Sequence, residues 1–431
     1  MTVKRLLSID GGGIRGIIAA EILVQMEDAL KAHNPKWQRL SDYFDFISGT
    51  STGSIIAAGL ATGMSAREIL EIYKTKGKRI FSPAEHTIEE LLDALGIEKG
   101  WGKRLAIATL IRASGKKDEI SKQLLTQYTG KELEEELKSV LKEITLGSSD
   151  LKTNLMIVTN NVTLGKNWFF VNNTVKGEYK NKSQYLDLTA NIPLWKIVRS
   201  SSAAPTFFPP FSFNVKFTKD DYSQEIIEKE CEFIDGAIGP YNNSSFRLFL
   251  EAIHPDYGTE WESGVDKLLL VSVGTGYGHA DIDFGQAKNK NNAQWAGYIV
   301  GDLMSEVNRQ QNQLLKLISK QKKLKESSNQ LENGNGFKIV PRSEELLTYC
   351  RFTSPFTVER FKELTKGGYL QLKDAKGKPI QADAIKKELI DKLEKMDCID
   401  QIDNLSAIGQ AIAKKQFDIS LFESFLEDEL T

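Results

Sequence analysis

Apolar residues along this chain fall into short continuous runs that alternate with longer stretches of helical spacing. The first run, RLLSI (5–9), is broken by the glycine segment DGGGIRG (10–16). After it, Ile18, Ile22, Met26 and Leu30 recur at four-residue intervals and predict a helix reaching His33. YFDFIS (43–48) predicts a second strand, which runs into a tight turn at GTSTG (49–53). TGSIIAAGLATG (52–63) is small and apolar enough for a buried helix ending near Gly63. Ser65 to Glu68 match a capping box, and Ser82 to Glu85 match another, with Pro83 at the first helical position. Residues 82–146 read as helical throughout, with Leu133, Leu137, Val140, Leu141 and Ile144 on one face.

Strand patterns return in NLMIVTNNV (154–162), WFFVNN (168–173), CEFIDGAIG (231–239) and KLLLVSVGTG (267–276). A run as uninterrupted as the last suits a sheet covered on both faces. Strands alternating with helices predict a layered α/β domain over residues 1–300. Residues 82–150 are its helical insertion, with the character of a cap or lid. Residues 301–431 form a mostly helical, charged extension that packs on the domain or regulates it.

Composition narrows the picture. With 431 residues, 41% hydrophobic and 26% charged, the chain is an ordinary globular protein of one large or two medium domains. Lys+Arg 56 against Asp+Glu 58 leave a net charge of -2, so any basic surface is local and no nucleic-acid partner is expected. Cys231, Cys350 and Cys398 are far apart and odd in number, which indicates neither a disulfide framework nor a zinc knuckle. The apolar run before Asp10 is too short for a signal-peptide core, and none approaches the roughly 18 residues of a membrane span. A cytoplasmic location is the expectation.

Candidate chemistry gathers at the two glycine turns. Gly11-x-Gly13-x-x-Gly16 satisfies the dinucleotide fingerprint and stands between a strand and a helix. That fold also needs an acidic residue at the end of the second strand. Asp42 and Asp45 lie at its start instead, and its end carries Ser51 in G-x-S-x-G. A P-loop is excluded, since GTSTGS has no lysine. The other use for Gly11, Gly12 and Gly13 is an oxyanion hole. Without Cβ atoms, successive backbone N–H groups can converge on one oxyanion, each stabilising it by about 3 kcal/mol. The helix beginning near Arg15 turns its positive end to the same place. Around Ser51, Gly49 permits a sharp entry and Gly53 a close approach of the following helix.

A serine hydroxyl needs a base. The histidines are His33, His86, His254 and His279, and the order Ser51, Asp235, His254 or His279 is that of an α/β-hydrolase. That fold, however, places several more elements before its serine. Asp235 closes an apolar strand ahead of Gly236 and is positioned to reach the same sheet edge as Ser51. A desolvated carboxylate beside a serine can take the proton directly, without histidine.

DGGGIRG, GTSTG and DGA, in that order, together with SSAAPTFFPP (201–210) and VSVGTG (271–276), resemble the patatin-like phospholipases over roughly residues 5–300. The resemblance implies a three-layer α/β/α domain with a central, mostly parallel sheet. It implies a Ser51/Asp235 dyad and an oxyanion hole built from Gly11, Gly12, Gly13 and Arg15, with Gly16, Gly49, Gly53 and Gly236 supporting the turns. The implied reaction is hydrolysis of ester-linked acyl chains of membrane phospholipids through an acyl-enzyme, with no calcium, other metal or cofactor. The chain is also similar to bacterial patatin-like phospholipases that serve as antiphage effectors, which implies a cyclic-oligonucleotide activator and peripheral membrane contact when active. A homo-oligomer is compatible with this reading, and a housekeeping lipase without nucleotide control would carry the same motifs. Two segments suit lipid approach. WGKRLAIATLIRASGKK (101–117) mixes Trp101, Leu105, Ile107, Leu110 and Ile111 with Lys103, Arg104, Arg112, Lys116 and Lys117, and LLKLISKQKKLK (314–325) is the second.

Overall fold

The computed structural model describes residues 2–427 apart from stretches within 82–125, residues 174–185, 219–224 and 258, stretches within 279–291, and residues 323–343. Among the described residues, nine strands form one sheet: β1 Lys4–Ile9, β2 Phe46–Thr50, β3 Asn154–Asn161, β4 Lys166–Val171, β5 Phe211–Thr218, β6 Ile226–Asp235, β7 Leu268–Val273, β8 Ser319–Gln321 and β9 Leu347–Phe352. Their order is β5-β6-β3-β2-β1-β7-β9-β8, with β4 also paired to β3. The run from β3 to β8 is parallel, while β4, β5 and β6 pair antiparallel.

The central strands are buried along nearly their whole length because helices cover both faces. Alternation decides which side chain meets which layer. Leu7 and Ile9 of β1 join the core beneath helices Gly16–His33, Thr52–Ala61 and Ile402–Gln416. Leu6 faces the opposite core, under helix Ser245–Ile253 and Leu315. The result is an α/β fold of three layers with a mixed, mostly parallel sheet. Among the described residues, no helix is long and apolar enough to cross a membrane. Cys231, Cys350 and Cys398 are buried and free.

Several local expectations differ from what is found. The second strand begins at Phe46, because Leu40–Tyr43 forms one helical turn and buries Tyr43 against Trp37 and Phe44. The helical reading of 82–146 holds for Ile88–Ala94, Trp101–Ser114 and Lys131–Leu141 but neither for 126–130 nor beyond Leu141. There the chain trades helix for tertiary bonds, Leu146 N–H to the Ile192 carbonyl (3.0 Å) and Leu194 N–H to the Ile144 carbonyl (2.9 Å). The second capping box, Ser82–Glu85, lies outside the described residues. The division expected at residue 300 falls inside helix Asn292–Ile318, and the sheet continues past it into β8 and β9.

The two lipid-approach segments also look different in the fold. Leu315 is buried at the end of helix Asn292–Ile318 and Ser319–Gln321 is an edge strand, so 314–321 packs on or joins the sheet rather than forming a free amphipathic helix. Ile111 is buried and Ile107 partly so, against Leu91 and Leu92, whereas Leu110 is 67% exposed.

Candidate active site

The register around β3 creates the site. β4 runs along one side of β3 from Met156 to Asn161, so β2 and β6 must share the other side. β2 occupies it as far as Thr50 opposite Val158, and β6 takes over with Asp235 opposite Thr159. The chain therefore turns away from the sheet at Ser51 in the row where Asp235 arrives.

Ser51 has φ +54°, a backbone region that L side chains rarely adopt. Its neighbours hold it there. The Ser51 N–H donates to Ser201 Oγ at 2.9 Å, and that hydroxyl donates to the Val158 carbonyl at 2.5 Å. The Ser51 carbonyl accepts the Ser54 N–H (2.9 Å) and Ser54 Oγ (2.6 Å) in the first turn of helix Thr52–Ala61. That helix lies so close to the end of β1 that a Cβ on Gly53 would fall 2.2 Å from the Ile9 carbonyl oxygen. Gly49 in turn faces the Gly53 carbonyl, Gly16 lies against Thr52, and Gly236 lies against the Val158 carbonyl.

Asp235 is 2% exposed. Its Oδ1 accepts the Ala237 N–H at 2.8 Å, and the Ser51 side chain lies beside its carboxylate. Burial pushes its pKa up to about 7, against the lowering effect of the Ser51 side chain and the Ala237 N–H. Its backbone is pinned as well, with Asp235 N–H bonded to the Ala203 carbonyl (2.9 Å) and its carbonyl to Asn160 Nδ2 (3.1 Å).

The glycine loop closes the third side. A Cβ on Gly11 would fall 3.0 Å from Ser51 Cβ, so loop and serine are in direct contact. The loop's N–H groups are not equivalent. Gly11 N–H already donates to the Asn242 carbonyl (3.2 Å), and Arg15 N–H to the Gly12 carbonyl (3.2 Å). Ile14 N–H donates to the Met396 carbonyl at 2.8 Å. Among the described residues, the Gly12 and Gly13 N–H groups have no acceptor. The half-buried Arg15 side chain lies over the Phe356 ring, 5.7 Å from its centroid.

No histidine among the described residues contacts Ser51 or Asp235. His33 stacks on Trp37 at the end of the first long helix. His254 follows helix Ser245–Ile253 and packs against Tyr257. His86 and His279 lie outside the described residues. The arrangement is chemically a serine hydroxyl on a strained turn, a desolvated carboxylate next to it, and a glycine loop in contact with it that carries two unbonded N–H groups among the described residues. Sequence reasoning quoted the Ser201 segment without giving that hydroxyl a role, and it overlooked Asn160, Asn242 and Met396.

Residues 7–248 match the family model described as patatin-like phospholipase. Patatin-17 of Solanum cardiophyllum is 30% identical over 284 residues, covering 63% of this chain and 60% of that protein. Patatin-like protein 1 of Oryza sativa subsp. indica is 31% identical over 285 residues, covering 63% and 58%. A Solanum tuberosum relative, 29% identical over 281 residues and covering 63% and 62%, is named probable inactive patatin-3-Kuras 1. Likeness of this degree therefore extends to a protein named as inactive, and activity has to be argued from the site. The chain spans about three fifths of the length of these relatives.

Proposed function

The chain belongs to the patatin-like phospholipase family, and from that premise we propose that it hydrolyses ester-linked acyl chains of membrane phospholipids, with Ser51 as nucleophile and Asp235 as general base. One observation carries the reading: a buried carboxylate, its pKa raised by burial to about 7, arrives in the sheet row where the serine leaves it on a strained turn. A base with a pKa near the working pH combines availability with driving force.

Asp235 takes the hydroxyl proton as Ser51 Oγ attacks the ester carbonyl carbon. The carbonyl oxygen becomes the oxyanion and is received by the Gly12 and Gly13 N–H groups, each donor of this kind contributing about 3 kcal/mol. Collapse of the intermediate breaks the ester C–O bond, and the leaving lysophospholipid oxygen takes the proton back from Asp235. Water then attacks the acyl-Ser51 ester, giving its proton to Asp235. Breakdown releases the fatty acid and returns the proton to Ser51 Oγ. The nucleotide reading of the glycine loop is less well supported, because Ser51 follows the second strand where that fold needs an acidic residue.

A fluorophosphonate probe tests the proposal. It should label the folded wild-type protein at Ser51, fail on Ser51→Ala, and react far more slowly with Asp235→Asn. No labelling of the folded wild type would overturn the reading.

The same reading puts the enzyme in the cytoplasm, in peripheral contact with membrane when active, with residues 82–150 as cap and self-association as one route to the active form. The similarity to antiphage effectors supports activation by a cyclic oligonucleotide. Such a ligand must bind the active state more tightly, by about 2.7 kcal/mol for a hundredfold shift in population. Turnover of phospholipid vesicles should then rise with one member of a panel of cyclic di- and trinucleotides. High basal turnover that none of them changes would remove the gating and leave the Ser51/Asp235 chemistry standing.

A further inference from the structure

The glycine loop cannot order itself. Gly11, Gly12 and Gly13 have no side chains to restrict their torsions, and such a run loses more conformational freedom on folding than any other. Its order has to be imposed from its ends, and the structure does so from places distant in the chain. At the start, Arg351 of β9 reaches across β7 to Asp10, the residue immediately before the glycines. Arg351 Nη1 donates to Asp10 Oδ1 at 3.0 Å and to Ser272 Oγ at 2.5 Å, and Nη2 donates to Asp10 Oδ2 at 2.5 Å. The two side chains are 13% and 5% exposed. At the end, the Met396 carbonyl accepts the Ile14 N–H, and a Cβ on Gly13 (φ +58°) would fall 2.2 Å from that carbonyl oxygen. Between the two pins, Thr275 Oγ1 donates to the Gly11 carbonyl at 2.6 Å. Arg351 and Met396 both lie beyond residue 248, where the match to the family model ends.

A guanidinium gripping a carboxylate by both oxygens fixes the rotation of that carboxylate as well as its charge. Asp10 N–H is bonded to the Val273 carbonyl (3.0 Å), so fixing its side chain fixes the peptide from which the loop departs. Burial raises the Asp10 pKa, and the Arg351 guanidinium opposes that rise.

We propose that Arg351 is a positioning residue of this site, holding Asp10 so that the Gly12 and Gly13 N–H groups stay convergent beside Ser51. The inference rests on the oxyanion role proposed above for that loop. A purely structural ion pair would lower stability when broken and leave the turnover of the folded fraction unchanged. A positioning pair lowers kcat while KM stays nearly the same.

The experiment compares wild type, Arg351→Met and the double variant D10N/R351Q. The double variant replaces the charge pair by two amides, so no buried charge is stranded if the single variant fails to fold. Three readouts are taken on full-length protein: kcat and KM for p-nitrophenyl butyrate, melting temperature, and hydrogen exchange of the peptide covering residues 10–16. Folded Arg351→Met should lose about 100-fold in kcat, the scale of one lost oxyanion donor, with KM within about threefold. Exchange of the loop peptide should rise at least about tenfold, because its bonds to Val273, Asn242 and Met396 depend on the loop keeping its place. The double variant should lie between the two, with kcat reduced about tenfold. Kcat and loop exchange within twofold of wild type in any variant that folds would overturn the proposal. If wild type hydrolyses no ester, the functional reading fails, and loop exchange still decides whether Arg351 orders the loop.

Discussion

Ser51 leaves the sheet in the row where Asp235 enters it, Thr50 facing Val158 and Asp235 facing Thr159 on the same strand. The serine side chain thereby meets a carboxylate that burial holds at a pKa of about 7. A base with that pKa is half protonated at neutral pH. The kcat/KM for a soluble ester should therefore rise tenfold per unit at low pH, bend near 7 and level above it. Asp235→Asn should lose that limb together with most of the activity. A profile flat from pH 5 to 8 would remove Asp235 as the base.

The same ionisation predicts a stability change of definite sign. Asp235 binds its proton more tightly in the folded protein, with a pKa of about 7, than at its ordinary value of 3.8. Its contribution to stability is fully present below pH 3.8 and is lost as the pH climbs to about 7. Above that the wild type carries a buried anion, which Asp235→Asn does not. The variant should melt higher than wild type at pH 8, by roughly 4 kcal/mol at the very most for a shift of about three units. The advantage should vanish near pH 4. Thermal denaturation at the two pH values checks this, and an equal difference at both would contradict it.

Ser201 should matter to catalysis without touching substrate. Its hydroxyl joins the Ser51 N–H to the Val158 carbonyl, tying the strained turn to the strand beside it. Ser201→Ala leaves both groups buried and unpaired, at a cost of about 1–3 kcal/mol. It also frees Ser51 to leave φ +54°. The expected result is a kcat reduced roughly ten- to a hundredfold with KM nearly unchanged. Ser201→Thr, which keeps the hydroxyl, should restore much of it. Activity within twofold of wild type in Ser201→Ala would mean that the helix alone holds the turn.

The legible parts of this fold are those whose signal is local. β1, β2, β7 and the two helices after the glycine turns are apolar on defined faces and punctuated by glycine, so period and punctuation find them together. Ser51 and Asp235 stand at the ends of such strands. Arg351 is different, being 341 residues from Asp10 with no spacing to connect the two. Nor could sequence tell that the Gly11 and Arg15 N–H groups are already bonded, because that depends on carbonyls that arrive from Asn242 and from within the loop itself. Ile144 keeps helical spacing and still lies outside the helix, drawn off by its bond to Leu194. β5 was legible and overlooked: Phe213, Val215 and Phe217 alternate inward with period two.

The remaining rival to the dyad is a triad with histidine, and pH dependence alone does not separate them, since imidazole also titrates near 6.5. Geometry makes the distinction for His254. Ser244, at the start of helix Ser245–Ile253, is hydrogen-bonded to Ser8 (3.0 Å) and Ser48 (2.7 Å), just below the site. Nine helical residues carry the chain about 13 Å from there before it reaches His254. His254→Ala and His33→Ala should keep kcat within about twofold and retain the limb near pH 7. His279→Ala and His86→Ala, outside the described residues, complete the set with the same expectation. The limb should also barely move with temperature, as carboxylate ionisations do, rather than shift downward on warming as imidazole does. A single histidine variant that removes both the limb and the activity while the protein stays folded would replace the dyad with a triad.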